Sequence, residues 1–369
     1  MGGSRGSCLA TTHSKHSDAT GLPRRPHDAA DCVSATSALF AMKICIYGAG
    51  AVGGALAARL CRAGNLISVV ARGAHGQAMR QAGVTLLTES DRFTAKVHCV
   101  EDPAELPPQD VVIVTVKGPA LPGIADTLRR MTTPASRVVF VMNGIPWWFC
   151  DGLGVSLPEA ALDSLDPGSR LRQAIGIDQT IGGVVYSSNE VVEPGVVQST
   201  SPRNRIILGR PDGVADPVVT ELVGRLTDAG YDALQVPTIR QELWTKMLIV
   251  AGAPPVAALT GCSLEQLTND RDACALIASI MREGLAIGRR LGFTIPDDID
   301  ARLAYYMDKP VRPSMLQDFQ LGRPPELESG ILAFGAIASA LGVPTPALNH
   351  VAALVRMKRV SEYAQAGMR

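Results

Sequence analysis

The sequence predicts an α/β protein in which a parallel sheet wrapped by helices precedes an all-helical region. Three observations lead there. A short apolar strand near residue 44 runs into a glycine-rich turn and an alanine-rich helix. Near-continuous apolar runs then recur, as in parallel strands buried on both faces, and strand signals stop after Pro237. The composition agrees: 46% of the 369 residues are apolar and 36 are glycine, while aromatics make up only 4%. Such an Ala/Val/Gly-rich chain is globular rather than disordered.

Charge and cysteines narrow the function. Lys+Arg number 35 and Asp+Glu 35, a formal net charge of +0. A neutral chain has no footprint for a phosphate backbone or an anionic bilayer, so neither nucleic acid nor membrane is an expected partner. The apolar stretch 247–262 is short and broken by Gly and Pro, so no bilayer-spanning segment is expected. The 8 cysteines show no CxxC spacing and read as reduced thiols of a cytoplasmic protein. His75, His98 and His350 are isolated and there is no HExxH, so no metal site is expected.

Residues 1–41 are rich in Ser, Thr, Gly and His, without periodicity or the apolar core of a secretory signal. They are expected to be a disordered extension or to precede the true start at Met42. Lys43–Tyr47 is the first strand, and Gly48, Ala49, Gly50, Ala51, Val52 and Gly53 follow it directly. A helix over 54–60 stops at Gly64, and Leu66–Val70 is the second strand. Strand, GxGxxG, helix, strand within about thirty residues is the Rossmann-type unit that binds a dinucleotide. Gly48 permits the tight turn, Gly50 lets the backbone approach a pyrophosphate, and Gly53 lets helix and strand pack closely. The helix N-terminus faces the phosphates. The second strand ends in Ala71-Arg72-Gly73, with no acid to accept a ribose 2′-hydroxyl. Arg72 suits a 2′-phosphate, which favours NADPH over NADH; a solvated arginine is the plainer alternative.

The alternation continues with a strand over Val111–Val116, a helix over Ala120–Met131 and a strand over Arg137–Met142. Ligands of such sheets bind beyond the carboxyl ends of the strands, which places Lys117 and Asn143 against cofactor or substrate. Each equally suits a turn. The β-rich stretch 180–209 reads as antiparallel strands extending the sheet, followed by a helix over 216–230 and a strand over 233–236. Helices are expected over 239–253, 270–291, 296–307 and 325–341. The chain thus divides into an NADP-binding domain, 42–237, and a helical substrate and dimerisation domain, 238–369, with the small substrate in the crevice between them. An exposed helical face would be the natural surface for a homodimer.

Taken together, these residues resemble the ketopantoate reductase (2-dehydropantoate 2-reductase) family. The likeness rests on 48–53, Val114-Thr115-Val116-Lys117, Asn143-Gly144 and Glu193-Pro194-Gly195-Val196-Val197. It continues in Glu242-Leu243-Trp244-Thr245-Lys246 and in Ser314-Met315-Leu316-Gln317-Asp318 followed by Glu326. It covers 42–369 and marks a divergent member. The resemblance implies NADPH-dependent reduction of a small 2-keto acid, ketopantoate to pantoate, toward pantothenate. It also implies a helical domain like the C-terminal domain of 6-phosphogluconate dehydrogenase. By resemblance, Lys246 is the general acid, Glu326 holds the substrate hydroxyl and helps position the lysine, Ser314 hydrogen-bonds substrate, and Asn143 bridges nicotinamide and substrate. A lysine at a carbonyl answers a real need, since hydride arriving at carbon leaves charge on oxygen. Read alone, Lys246 could be a snorkelling surface lysine, Glu326 a first-turn acid and Ser314 an N-cap.

The resemblance breaks on the Lys246 helix. Where the family carries two substrate-lining asparagines, this chain has Val250 and Pro254. That implies a more apolar pocket, suited to a 2-keto acid without the distal hydroxyl. A related dehydrogenase for another keto or hydroxy acid and a non-catalytic NADPH-binding protein are the alternatives.

Overall fold

The computed structural model describes residues 42–201 and 204–365, so the expectation for 1–41 lies outside the described residues. The chain opens with β1 (Ile44–Tyr47), α1 (Ala51–Arg62) and β2 (Ile67–Val70), followed by α2 (Gly73–Ala82), β3 (Val84–Leu87), β4 (Arg92–Ala95) and β5 (His98–Val100). It continues through β6 (Val111–Val114), α3 (Ala125–Met131), β7 (Arg137–Val141), α4 (Glu159–Leu165), α5 (Arg170–Ala174) and β8 (Thr180–Tyr186). Then come β9 (Asn189–Glu193), β10 (Val196–Ser199), β11 (Arg205–Gly209), α6 (Pro217–Asp228) and β12 (Asp232–Gln235). The helices α7 (Ile239–Thr260), α8 (Leu264–Asn269), α9 (Arg271–Arg290), α10 (Ile299–Ala304), α11 (Ser314–Gln320), α12 (Ala333–Ala340) and α13 (Pro346–Gln365) follow.

The main sheet has 8 strands in the order β12-β11-β8-β7-β6-β1-β2-β5. Pairing is parallel from β8 to β5, while β11 runs antiparallel to β8. β1 lies between β2 and β6, so the winding reverses there and opens a crevice at the carboxyl ends of β1 and β6. One sheet face packs on α1 and α6. The other continues into a core shared with the helices, joining Val114, Phe140 and Trp148 to Trp244, Ile280 and Phe334.

The structure corrects the reading of 180–209. β8 and β11 extend the main sheet, but β9 and β10 join β3 and β4 in a second sheet of 4 strands, ordered β4-β3-β10-β9. The reason lies in α1, whose residues 53–58 are buried all round and need cover on both sides. Val197 of β10 supplies part of it, lying against α1 at Gly54.

Helix boundaries shift for local reasons. The helix expected over 120–131 begins only at Ala125, after two short 3₁₀ turns each carrying a proline, Pro119 and Pro122. The one expected over 296–307 contracts to α10. The segment 325–341 contains a π-turn, Glu328–Leu332, in which Gly330 leaves helical geometry (φ −88, ψ −119), before α12. Conversely, α7 runs seven residues past Ala253, straight through Pro254 and Pro255. By length and apolar composition α7 could cross a membrane, contrary to the expectation for this stretch. Its Trp244, Met247, Leu248 and Val256 are instead buried in the protein core.

The glycine turn takes the geometry its motif requires. Gly48 has φ +95, and a Cβ there would stand 2.5 Å from Val116. A Cβ on Gly53 would lie 2.3 Å from the Gly48 carbonyl oxygen, a backbone atom that cannot swing away, and 2.4 Å from Thr115 Oγ1. Gly53→Ala is therefore expected to destabilise the fold by about 1–3 kcal/mol. A thermal unfolding midpoint equal to that of the parent protein would refute this.

Candidate active site

The crevice edge is built by the segments that follow β1, β6, β7 and β8. At β1, the Gly48 N–H donates to Val70 O at 3.0 Å, and Thr115 Oγ1 donates to Gly48 O. α1 then starts at Gly50 without any side-chain cap, and a Cβ at Gly50 would meet nothing within 4 Å. Uncapped N–H groups over open space at a helix N-terminus suit an anionic ligand. Arg72 is exposed at the end of β2, immediately before α2. The glycine turn and Arg72 together fit a phosphate-bearing dinucleotide.

Lys246 enters from α7. Its Nζ donates to Asn143 Oδ1 at 2.7 Å and to the Val185 carbonyl at 2.7 Å, and it stands 5.7 Å from the Tyr186 ring centroid. Neither partner is a carboxylate, so burial dominates and pulls the ammonium pKa down to about 8, the Glu326 charge opposing. Across the crevice, Glu326 Oε1 accepts the Gly118 N–H at 2.9 Å. Burial pushes its carboxyl above the usual range, opposed by the Gly118 N–H and the Lys117 charge. Lys117 Nζ is 2.5 and 2.6 Å from the two carboxylate oxygens of Asp318. Lys117 remains 45% exposed at its side chain, whereas Asp318 is only 4% exposed. The crevice thus holds two cations and two carboxylates.

Glycine backbone lets the two sides meet. Gly144 (φ +119) would place a Cβ 2.6–2.8 Å from Ser329, and the next residue, Ile145, donates its N–H to Ser329 O at 2.6 Å. Ser329 belongs to the π-turn that follows Glu326. Val250 and Pro254 sit one and two turns beyond Lys246 on its face of α7, and all three are partly exposed while Met247, Ala251 and Pro255 are buried. That face, beyond the lysine, is apolar.

The chain matches the profile of "Ketopantoate reductase PanE/ApbA" over residues 44–213 and that of "Ketopantoate reductase PanE/ApbA C terminal" over residues 238–359. It belongs to the ketopantoate reductase family. It is accordingly an oxidoreductase acting on a CH–OH group. A 2-dehydropantoate 2-reductase of Mesorhizobium japonicum is 37% identical over 317 residues, which is 85% of this chain and 97% of that protein. A crystal structure from Ralstonia solanacearum, assigned provisionally as a ketopantoate reductase, is 36% identical with a TM-score of 0.79, covering 87% of this chain and 99% of that one. D-mandelate dehydrogenase with NADH and anilino(oxo)acetate is 18% identical with a TM-score of 0.74, covering 87% and 99%, a likeness of fold.

In this ketopantoate reductase family member, the residues expected at the site fall unevenly. Lys246 and Asn143 are in direct contact, and Glu326 lies close enough to Lys246 for its charge to act on the amine. Lys117 reaches Asp318 rather than standing free. Ser314 is exposed at the first position of α11, and the cap position before it is Pro313, so it is no N-cap. Two contributors escaped the sequence reading. Asp318 lies among the buried Met315, Leu316 and Phe319 of α11, and an acid on an apolar face signals a cation partner. The Val185 carbonyl is visible only once β8 is known to run parallel beside β7.

The Lys117–Asp318 pair should respond asymmetrically. Asp318→Asn leaves a half-exposed lysine that turns to water, costing under about 1 kcal/mol. Lys117→Met strands a buried carboxylate, costing about 3 kcal/mol. Denaturant midpoints for the two variants measure this, and an equal or reversed order would contradict it.

Proposed function

We propose that this reductase converts 2-dehydropantoate to pantoate with NADPH, a step toward pantothenate, in the cytoplasm. The observation that carries the reading is the Lys246 amine, held by Asn143 and Val185 with a pKa drawn down to about 8, in a chain whose glycine turn leaves the α1 N-terminus uncapped. The Mesorhizobium relative's name supplies the substrate.

NADPH, when bound, supplies the hydride. The Gly48–Gly53 turn receives its pyrophosphate on the α1 N-terminus and Arg72 its 2′-phosphate. Asn143 orients Lys246 toward the keto oxygen. As charge develops there, the Lys246 ammonium stabilises the oxyanion and donates its proton, which a pKa near 8 makes easy at neutral pH. Glu326 faces the lysine and helps position it, and Lys117 is held beside them by Asp318. Ser314 contributes from α11, which packs on α7.

A second reading, reduction of another 2-keto acid, is favoured by one observation: Val250 and Pro254 offer no polar side chain beyond Lys246.

NADPH oxidation followed with 2-dehydropantoate tests the proposal. Turnover is expected, and Lys246→Ala should lower it by about 10²–10⁴-fold with NADPH affinity retained. Since the donor is the protonated amine, kcat/KM for reduction should hold below pH 8 and fall as pH rises through about 8. Tight NADPH binding without turnover of any 2-keto acid, or an undiminished Lys246→Ala enzyme, would sink the proposal. Arg72→Ala should lower the NADPH-over-NADH preference about tenfold or more, the worth of a charge-assisted hydrogen bond. An unchanged ratio would transfer the 2′-phosphate to another group.

A further inference from the structure

α7 stays helical through Pro254 and Pro255. Proline has no N–H, so the carbonyls of Val250 and Ala251, four residues earlier, lose their helical donors, and the proline rings push those carbonyls off the axis. The two vacated acceptors lie in different places. Ala251 and Pro255 are buried. Val250 and Pro254 are partly exposed on the Lys246 face, one and two turns along. The Val250 carbonyl runs along the helix surface between those two partly exposed residues, so it lies on the Lys246 face. It stands about 6 Å along the axis from the level of Lys246. That is within the span of a four-carbon acid whose keto oxygen meets the lysine.

We propose that the Val250 main-chain carbonyl, released by Pro254, accepts the hydrogen bond of a hydroxyl on the substrate's distal carbon. The inference rests on the keto-acid reading above and identifies the specificity element within it. The side chains of Val250 and Pro254 have no donor or acceptor, so at this level of the crevice the polar contact on α7 falls to backbone. A backbone acceptor without a helical partner takes one from water or ligand. A substrate bringing an O–H replaces the water in kind. A deoxy substrate of the same shape displaces the water and leaves the carbonyl unpaired, a discrimination of about tenfold. Valine and proline at these positions therefore select for the hydroxyl through the main chain while packing the substrate's methyl groups.

The test compares 2-dehydropantoate with 3,3-dimethyl-2-oxobutanoate, the same carbon skeleton without the hydroxyl, in the parent enzyme, in Pro254→Ala and in Pro255→Ala. Alanine is the strongest helix former, so neither substitution threatens α7. Pro254→Ala returns an N–H to the Val250 carbonyl, and Pro255→Ala does the same for the buried Ala251 carbonyl. The parent enzyme is expected to favour the hydroxylated acid about tenfold in kcat/KM. Pro254→Ala should erase that preference and Pro255→Ala should keep it. A parent enzyme indifferent to the hydroxyl or favouring the deoxy acid overturns the assignment. So does a preference that survives in Pro254→Ala or disappears equally in Pro255→Ala. In each of those results keto-acid reduction itself stands, whereas absence of turnover with both acids removes that reading and the inference with it.

Discussion

Everything at the crevice depends on how Trp244 seats α7. The indole is fully buried, stacked on Phe334 at 4.2 Å between centroids with an 11° interplanar angle, and flanked by Phe149 at 5.7 Å. Its Nε1 donates to Gly284 O at 2.9 Å, so the one polar atom of a large apolar group is satisfied within the core. Phe149 comes from the segment after β7, Gly284 from α9 and Phe334 from α12. One side chain therefore joins the sheet segment bearing Asn143 to two helices of the all-helical region. Lys246 lies two residues further along α7, and its reach toward Asn143 follows from that seating.

The same closeness explains the electrostatics. An amine held by a carboxamide and a main-chain carbonyl gains hydrogen bonds but no countercharge in contact, so burial prevails and its proton is loosened. Lys117 has the opposite arrangement, with both Asp318 oxygens in contact. Two lysines at one crevice thus have different neighbours: Lys117 meets a carboxylate in contact, Lys246 only a carboxamide and a main-chain carbonyl. The π-turn after Glu326 contributes by turning Ser329 toward Ile145, which holds the segment after β7 against the helical side.

Much of this was legible in the sequence where local chemistry decides. The glycine turn, the buried runs of β6 and β7 and the amphipathic stripe of α9 each carry their signal within one element. The strand-end rule pointed to Asn143, and family resemblance added Lys246 and Glu326, which no periodicity announces. What escaped depends on distant partners. β9 and β10 alternate like ordinary extensions of the sheet, and only the need to cover α1 on its second side draws them to β3 and β4. α7 outlasts its prolines because buried contacts, not propensity, hold its last turns. The pairing of Asp318 escaped because its place on an apolar face signals a cation, but not which one, and the partner is 201 residues away.

The second sheet has a further bearing on ligand capture. α1 packs on β1 and β2 on one side and on β3, β4, β9 and β10 on the other, and its residues 53–58 are buried. Its leading amides, without a side-chain cap, are consequently held in place by packing on both sides. An arriving phosphate then meets dipoles that need no reorientation, and little of the binding free energy is consumed in ordering the loop. The four short strands of the second sheet thereby act as a mount, and their contribution would be felt as affinity rather than as chemistry.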